Sequence, residues 1–290
     1  MASPYYLAIK GDFVIKGKKP DGDSLRFIAH NLELYRLLQR AYRIKVSRDG
    51  SVQLRLEGVD APELHYGTHM QPLGEWSRDT LLAWLGFQNI VYEQHRVTDS
   101  TPLHIPGAIL TQAAEVNGRP ISYILIGPLA DGLQDGTWTL LDPTLLQQTL
   151  NFTLLREGTA YYTTYTSTYI EHRRLLRDAA VQARSDLKGV WREDQTNSFQ
   201  LVNQDSIGPQ GQLLLPKLFR RCTDYLKDVE NGYDGNLPDW LVWISQSSRD
   251  ENDMVVIQDA LEIPLSDLIL QQNQTVRFQV DLLDIVFVEK

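Results

Sequence analysis

The sequence has little cysteine, no long apolar run and no excess of basic charge, and each shortage excludes a class of protein. A single cysteine, Cys222, excludes an intramolecular disulfide framework and a cysteine-based zinc site, and is typical of a reducing compartment. No run of about 18 apolar residues is present, which argues against a transmembrane helix. A net charge of −9 argues against binding of nucleic acid by the whole surface. Any contact with a polyanion must therefore be local.

The first residues of the chain bear on its location. They include neither a basic segment nor an apolar segment of the kind that opens a secretion signal. We therefore expect a cytoplasmic location, or secretion if a leader has been removed.

The charge is divided unevenly along the chain. Residues 1–200 carry 21 Lys and Arg against 22 Asp and Glu, whereas residues 201–290 carry 7 against 15. Between them, residues 196–212 are polar and rich in turn formers, the composition of a linker. The sequence therefore predicts a domain over 1–195, a linker over 196–212 and an acidic domain over 213–290. In the acidic domain the patterns predict a helix over 213–226 and strands over 240–244, 255–257 and 276–288.

The most informative stretch is residues 52–63. Apolar and polar side chains alternate over 52–57, which predicts a half-buried strand. Gly58 breaks the strand, and Pro62 stiffens the turn that carries Asp60 and Glu63. An aspartate can ligate a hard cation, a glutamate can take a proton from water, and an arginine such as Arg55 can hold phosphate oxygens. The stretch therefore indicates phosphodiester chemistry.

The same residues carry a resemblance. Leu54-Arg55-Leu56 followed by Val59-Asp60-Ala61-Pro62-Glu63 resembles the signature of the staphylococcal nuclease (thermonuclease) family. The similarity extends over about residues 8–192. It implies an α+β protein built on an OB-fold five-stranded β-barrel packed by helices, to which the patterns of 213–290 add a smaller C-terminal α/β domain.

The resemblance also implies roles for individual residues. Taken alone, Asp23 in Asp-Gly-Asp and Arg119 in Gly-Arg are typical turn residues. In the family, these two positions hold a calcium ion and contact the scissile phosphate, respectively. Where the family has a lysine and a tyrosine just before this arginine, the chain has Val116 and Asn117. The implied set is a Ca²⁺ site of Asp23, Asp60 and the backbone carbonyl of Ala61, with Glu63, Arg55 and Arg119 as catalytic residues.

Tyrosines at 161, 162 and 165 follow a predicted helix at the place where the family presents tyrosines to a nucleotide. Tyr162 or Tyr165 would bind substrate by stacking on a base, or all three rings would belong to the core and its rim. The sequence leaves both alternatives open.

The resemblance implies a Ca²⁺-dependent nuclease that hydrolyses DNA or RNA, preferably single-stranded, and leaves 3′-phosphorylated products. One alternative is a catalytically silent nuclease-like module that binds nucleic acid or protein. Another is that the acidic C-terminal region docks a protein partner or drives self-association. An ion pair of Arg55 with Glu63 that has only a structural role also stays open.

Overall fold

The computed structural model describes residues 4–247, 251–257 and 261–289. Within these ranges, the chain up to residue 193 forms a β-barrel with helices packed around it. Its strands and helices, in chain order, are β1 (Tyr5–Val14), β2 (Ser24–Ala29), β3 (Val52–Leu56), β4 (Val59–Asp60), α1 (Gly74–Leu85), β5 (Gln88–Glu93), β6 (Arg96–Thr101), β7 (His104–Ala114), β8 (Pro120–Ile126), α2 (Pro128–Asp131), β9 (Trp138–Leu140), α3 (Pro143–Leu146), α4 (Leu150–Arg156), β10 (Tyr161–Tyr162), α5 (Ile170–Ser185) and α6 (Val190–Glu193).

Five of the described strands close the barrel. Strand β1 pairs with β2, β2 with β3, β8 with β7 and β7 with β1, all antiparallel, whereas β3 and β8 run parallel. In β3 the side chains of Val52, Leu54 and Leu56 are buried, and those of Gln53 and Arg55 are partly exposed, as the alternation predicts. This closed arrangement is an OB-type barrel, so the predicted fold of this region is confirmed.

The barrel closes through a short contact between β3 and β8, which covers two residue pairs. Asn151, buried on α4, reinforces this seam. Its Oδ1 accepts a hydrogen bond from the backbone N–H of Ile124 at 3.0 Å. Its Nδ2 donates to the carbonyls of Glu57 at 2.9 Å and Ser122 at 3.0 Å. One amide therefore satisfies three backbone groups beside the site at which the barrel closes.

We expect Asn151→Ala to lower the free energy of unfolding by about 3 kcal/mol, since each buried polar group left without a partner costs about 1–3 kcal/mol. Urea denaturation followed by circular dichroism measures this loss. Thr153→Ala on the same helix is the matched control, because its hydroxyl bonds to the carbonyl of Thr149, the residue that caps α4, and not to the barrel seam. Equal losses in the two variants would contradict the role of Asn151 at the seam.

Beyond residue 193 the described chain adds two helices and two small sheets. Strands β11, β15 and β14 form one three-stranded sheet, and β13, β12 and β16 form the other. None of the helices in the described ranges has the length and apolar character that crossing a bilayer requires. The elements of this region are β11 (Ser198–Gln200), α7 (Pro216–Glu230), α8 (Leu237–Ile244), β12 (Met254–Ile257), β13 (Leu261–Pro264), β14 (Ile269–Gln272), β15 (Thr275–Phe278) and β16 (Ile285–Phe287).

Residues 240–244, predicted as a strand, belong instead to helix α8. The side chain of Asn236 accepts a hydrogen bond from the backbone N–H of Asp239 at 2.9 Å, and Pro238 stands in the first turn. Both features favour the start of a helix, and they outweigh the apolar run that follows. The other predicted elements of this region are present, with 276–288 divided into β15 and β16.

The segment 196–212, predicted as a linker, is folded. Phe199 in β11 and Ile207 are buried. Asn203 caps the 3-10 turn that follows it, and the side chain of Gln212 donates to a carbonyl of β11 at 2.8 Å. The polar residues that give this segment a linker composition thus bond to the backbone of a compact loop.

The C-terminal region packs directly against the barrel and shares one hydrophobic core with it. Near the start of α7, the carbonyl of Leu214 accepts a hydrogen bond from Nε2 of Gln71 at 2.8 Å. At a second place, the backbone of Phe287 in β16 bonds to Thr164 at 2.9 Å and to Thr166 at 2.8 Å. These contacts hold the last part of the chain beside the residues that carry the resemblance.

Candidate active site

The acidic corner, residues 60–63, is held by hydrogen bonds. Asp60 lies in β4, which pairs with β10. The backbone N–H of Glu63 donates to Oε1 of Gln71 at 3.0 Å, and the N–H of Gln71 donates to the Glu63 carbonyl at 2.8 Å. The side chain of Asp60 is fully buried and that of Glu63 is 14% exposed. The backbone that carries both carboxylates is therefore fixed.

The turn at residues 21–23 lies against the acidic corner because Gly22 has no side chain. A Cβ on Gly22 would lie 2.6 Å from the Cβ of Ala61 and 2.5 Å from Oγ of Ser77 on α1. Atoms that are not bonded do not approach so closely without displacement, so glycine is required at this position. The close contact brings Asp23 beside the corner.

Arg55 joins the turn to the corner. Its Nη1 contacts Oδ2 of Asp23, and its Nη2 lies 3.1 Å from Oδ1 of Asp60. The side chain of Arg55 is 15% exposed. The structure thus brings together Asp23, Arg55 and Asp60, as the resemblance implies, but it pairs Arg55 with the two aspartates and not with Glu63.

A second arginine reaches the acidic corner from the C-terminal region. Arg220, on α7, contacts Oε1 of Glu63 through Nη1, and its Nη2 lies 3.3 Å from Oδ2 of Asp60. The sequence analysis assigns no role to this residue. Glu63 is therefore partnered by an arginine that lies 157 positions later in the chain.

These contacts set the charge of the buried groups. Burial opposes ionisation of Asp60, but Arg220 and Arg55 hold the pKa of this carboxyl below its usual value. Burial likewise disfavours the charged guanidinium of Arg220, yet Asp60 and Glu63 raise its pKa above the usual value. Burial, and then the nearby charge of Glu63, raise the pKa of Asp21 to about 6. Asp60 and Arg220 are thus both charged at neutral pH.

Arg119 faces the same space from the turn before β8. Its Nε donates to Oε1 of Glu115 at 2.7 Å, and its side chain is 27% exposed. A groove of about 730 Å³ runs between this turn, the acidic corner and α7. We refer to it as the groove; the lining residues used below are Asp23, Arg55, Glu57, Glu63, Arg119, Tyr165, Lys217, Arg220 and Arg221.

The two candidate stacking tyrosines differ in position. Tyr162 is 4% exposed and belongs to the core, so in this structure its ring offers no open face to a base. Tyr165 lines the groove. Its ring centroid lies 6.1 Å from that of Phe287 and 5.1 Å from Nζ of Lys217. A stacking role for Tyr165 stays a prediction.

The donor set does not fit a divalent cation in this arrangement. Ca²⁺ needs several oxygen ligands that face the ion. Here the carboxylates of Asp23, Asp60 and Glu63 face the guanidinium groups of Arg55 and Arg220. Across the described ranges, no cluster of three or more His, Cys, Asp or Glu side chains is arranged to hold a metal ion. A Ca²⁺ site of Asp23, Asp60 and Ala61 would need these carboxylates to turn away from the arginines, and it stays a prediction.

Sequence reasoning missed the basic face of α7. Lys217, Arg220 and Arg221 are spaced three and four residues apart, which places them on one side of a helix. They make up three of the seven Lys and Arg in the strongly acidic segment 201–290. A basic cluster on one helix face in an otherwise acidic region indicates a contact with carboxylates. The sequence does not specify which carboxylates these are.

Glu57 also lines the groove, and it makes stability depend on pH. Its Oε1 accepts a hydrogen bond from Oγ1 of Thr168 at 2.6 Å, but burial raises its pKa from 4.5 to about 7. The folded protein therefore binds this proton more tightly than the unfolded chain does. The resulting stabilisation is complete at acidic pH and is lost as the pH rises from about 4.5 to 7.

We expect Glu57→Gln to remove this dependence. The amide oxygen can still accept from Thr168, so the variant should gain about 2–3 kcal/mol of stability relative to wild type between pH 5 and pH 8. Urea denaturation at each pH measures the difference. Asp21 titrates in both proteins and cancels in the comparison. Parallel pH profiles would contradict the raised pKa of Glu57.

Residues 53–193 match the family model described as staphylococcal nuclease homologue. No curated protein matched the chain. The matched segment contains β3, the acidic corner, Arg119 and the helices up to α6, and the barrel it completes has the OB-type closure. The fold and the match together show that residues 53–193 are similar to the staphylococcal nuclease homologues.

Proposed function

We propose that the protein is a nuclease that hydrolyses phosphodiester bonds of DNA or RNA in the groove. The observation that carries this proposal is the convergence of one carboxylate, Glu63, and two arginines, Arg55 and Arg119, on a single groove. They come from the acidic corner, a strand and a turn of the matched domain. A nuclease-family relationship and this convergence support the same reaction.

In this reaction Glu63 positions or deprotonates the attacking water. A general base accepts a proton from the attacking water, and the contact with Arg220 holds the carboxylate of Glu63 in place. Arg55 and Arg119 stabilise the negative charge that accumulates on the phosphoryl oxygens. Guanidinium groups suit this task because their planar donors match phosphate geometry.

The groove favours one strand of nucleic acid over a duplex. Its volume of about 730 Å³ is that of a small-molecule cleft, and two sides of it are formed by α7 and the turn before β8. Arg119, Lys217 and Arg221 line the groove, where each is paired with a carboxylate that a bound phosphate would replace, Glu115 for Arg119 and Asp253 for the other two. Backbone contacts of this kind do not distinguish bases, so both DNA and RNA are candidate substrates. Release of 3′-phosphorylated products and a Ca²⁺ requirement are the finer proposals, taken from the resemblance.

A second candidate is a module that binds nucleic acid without cleaving it. The observation that favours it is the pairing of Asp23, Asp60 and Glu63 with arginines, which leaves these carboxylates engaged in the structure. Such a module would use the same groove and the same basic side chains.

Cleavage of fluorescent single-stranded DNA and RNA, with Ca²⁺ and with EDTA, tests the proposal. The double variant Glu63→Gln/Arg119→Ala, purified in parallel, is the blank for contaminating nucleases. Turnover by wild type alone, with 3′-phosphate ends on the products, is the expected result. Oligonucleotide binding by both proteins without turnover would favour the binding module.

A further inference from the structure

The C-terminal helix α7 places a positive charge where the resemblance implies a metal ion. Arg220 meets Asp60 at 3.3 Å and also contacts Glu63. Asp60 is one of the residues that the resemblance makes a calcium ligand. A divalent cation and a guanidinium group compete for the same carboxylate oxygens, because like charges repel and each needs lone pairs of those oxygens. Arg55 contacts Oδ1 of Asp60, and Arg220 adds a second guanidinium at Oδ2.

Arg220 differs from the neighbouring basic residues of α7 in the carboxylates that it contacts. Its neighbour Arg221 turns to Asp253, with Nη2 2.9 Å from Oδ2. Lys217 lies 3.4 Å from the same residue, Asp253, and 4.2 Å from the ring centroid of Phe287. Asp253 and Phe287 belong to the C-terminal region, although Lys217 also reaches the ring of Tyr165 in the matched domain. Arg220 is the basic residue of α7 whose guanidinium contacts the carboxylates of the acidic corner.

The helix that carries Arg220 is fixed on the barrel. Leu218, Phe219 and Cys222 are buried around it. Near Arg220, the hydroxyl of Tyr66 contacts the carboxylate of Asp224 on α7. A side chain held by a docked helix loses little further entropy when it forms an ion pair, so the pair is stronger than a flexible surface contact.

We propose that Arg220 is an intramolecular cation that competes with a divalent metal ion for Asp60 and Glu63. Metal binding at the acidic corner then requires that Arg220 leave these carboxylates, which raises the metal concentration needed to fill the site. On this account the C-terminal region contributes a residue to the active site.

Calcium affinity measured by isothermal titration calorimetry on the full chain tests this competition. We expect Arg220→Gln to bind Ca²⁺ at least about 10-fold more tightly than wild type, since it keeps the length of the side chain and removes its charge. Arg220→Lys keeps the charge and Arg221→Gln leaves the corner intact, so both should stay within about 3-fold of wild type. Adding Asp60→Asn to Arg220→Gln should abolish the gain.

Several results would overturn the proposal. These are equal Ca²⁺ affinity in wild type and Arg220→Gln, no Ca²⁺ binding by either protein, or a gain that survives Asp60→Asn. Circular dichroism spectra verify that each variant is folded. If Arg220→Gln does not fold, the Ca²⁺ affinity of the wild-type protein is the test. Saturable binding at micromolar Ca²⁺ would contradict competition by Arg220. Binding only at millimolar Ca²⁺ or above would support it. Because affinity and not cleavage is measured, this inference and the nuclease proposal can fail independently.

Discussion

Replacing Glu63 by glutamine is expected to lower the rate constant for oligonucleotide cleavage by about 10²–10⁴-fold, the contribution typical of a positioned general base. The amide has nearly the shape of the carboxylate and can still accept a hydrogen bond from Arg220, so the fold of the acidic corner should persist. It cannot take a proton from water at neutral pH. The loss should therefore appear in kcat, with the affinity for a single-stranded oligonucleotide little changed.

The matched control is Glu57→Gln, because Glu57 lines the same groove but bonds to Thr168. Single-turnover cleavage separates the chemical step from binding, and fluorescence anisotropy gives the affinity. An unchanged cleavage rate in Glu63→Gln would remove Glu63 from the mechanism. A loss of equal size in both variants would mean that cleavage depends on the total negative charge of the groove. It would then not depend on a general base at position 63.

The part of the site that could be predicted from the sequence is the part built from local patterns. The alternation of residues 52–57 places Arg55 on the outward side of a strand, and Pro62 fixes the turn that carries Glu63. Gly22 keeps the turn before β2 close to this corner. Each of these features depends on neighbours in the chain, so a short stretch of sequence is enough to read it.

The remainder depends on which surfaces meet after folding. Tyr162 and Tyr165 are both candidates by their place in the sequence, yet Tyr162 is buried in the core and Tyr165 lines the groove. Arg220 belongs to a helix whose amphipathic pattern predicts packing but does not specify the surface against which the helix packs. The acidic composition of residues 201–290 suggested a separate docking domain. In the structure Arg220 from this region meets the acidic corner, and a shared hydrophobic core joins the region to the barrel.

Removal of Arg55 is expected to have two large effects, one on stability and one on cleavage. Arg55→Ala leaves Asp23 without its ion pair and Asp60 with Arg220 alone. Loss of one partner from a buried ion pair costs about 3–5 kcal/mol, and we expect the lower end because Arg220 still neutralises Asp60. Cleavage should fall by roughly 10²–10³-fold, as for a lost donor to a developing oxyanion.

Arg119→Ala separates these two effects. Arg119 is more exposed than Arg55, at 27% against 15%, and it pairs with Glu115 at the mouth of the groove. Its removal should cost less than about 1 kcal/mol of stability, the value of a partly exposed ion pair. Cleavage should nevertheless fall by roughly 10²–10³-fold, because its guanidinium would face the same phosphate. Urea denaturation and single-turnover cleavage, measured on both variants well below their unfolding midpoints, give the two quantities.

Arg55→Lys completes the test, because it keeps the charge and loses the planar pair of donors. Charge alone is enough to neutralise Asp23 and Asp60, so most of the stability should return. A point charge does not reproduce bidentate contact with phosphate, so cleavage should stay impaired. Recovery of both properties in Arg55→Lys would assign Arg55 an electrostatic role only. Recovery of neither would mean that the geometry of the guanidinium group holds the buried aspartates together, and that the loss of cleavage follows from the loss of structure.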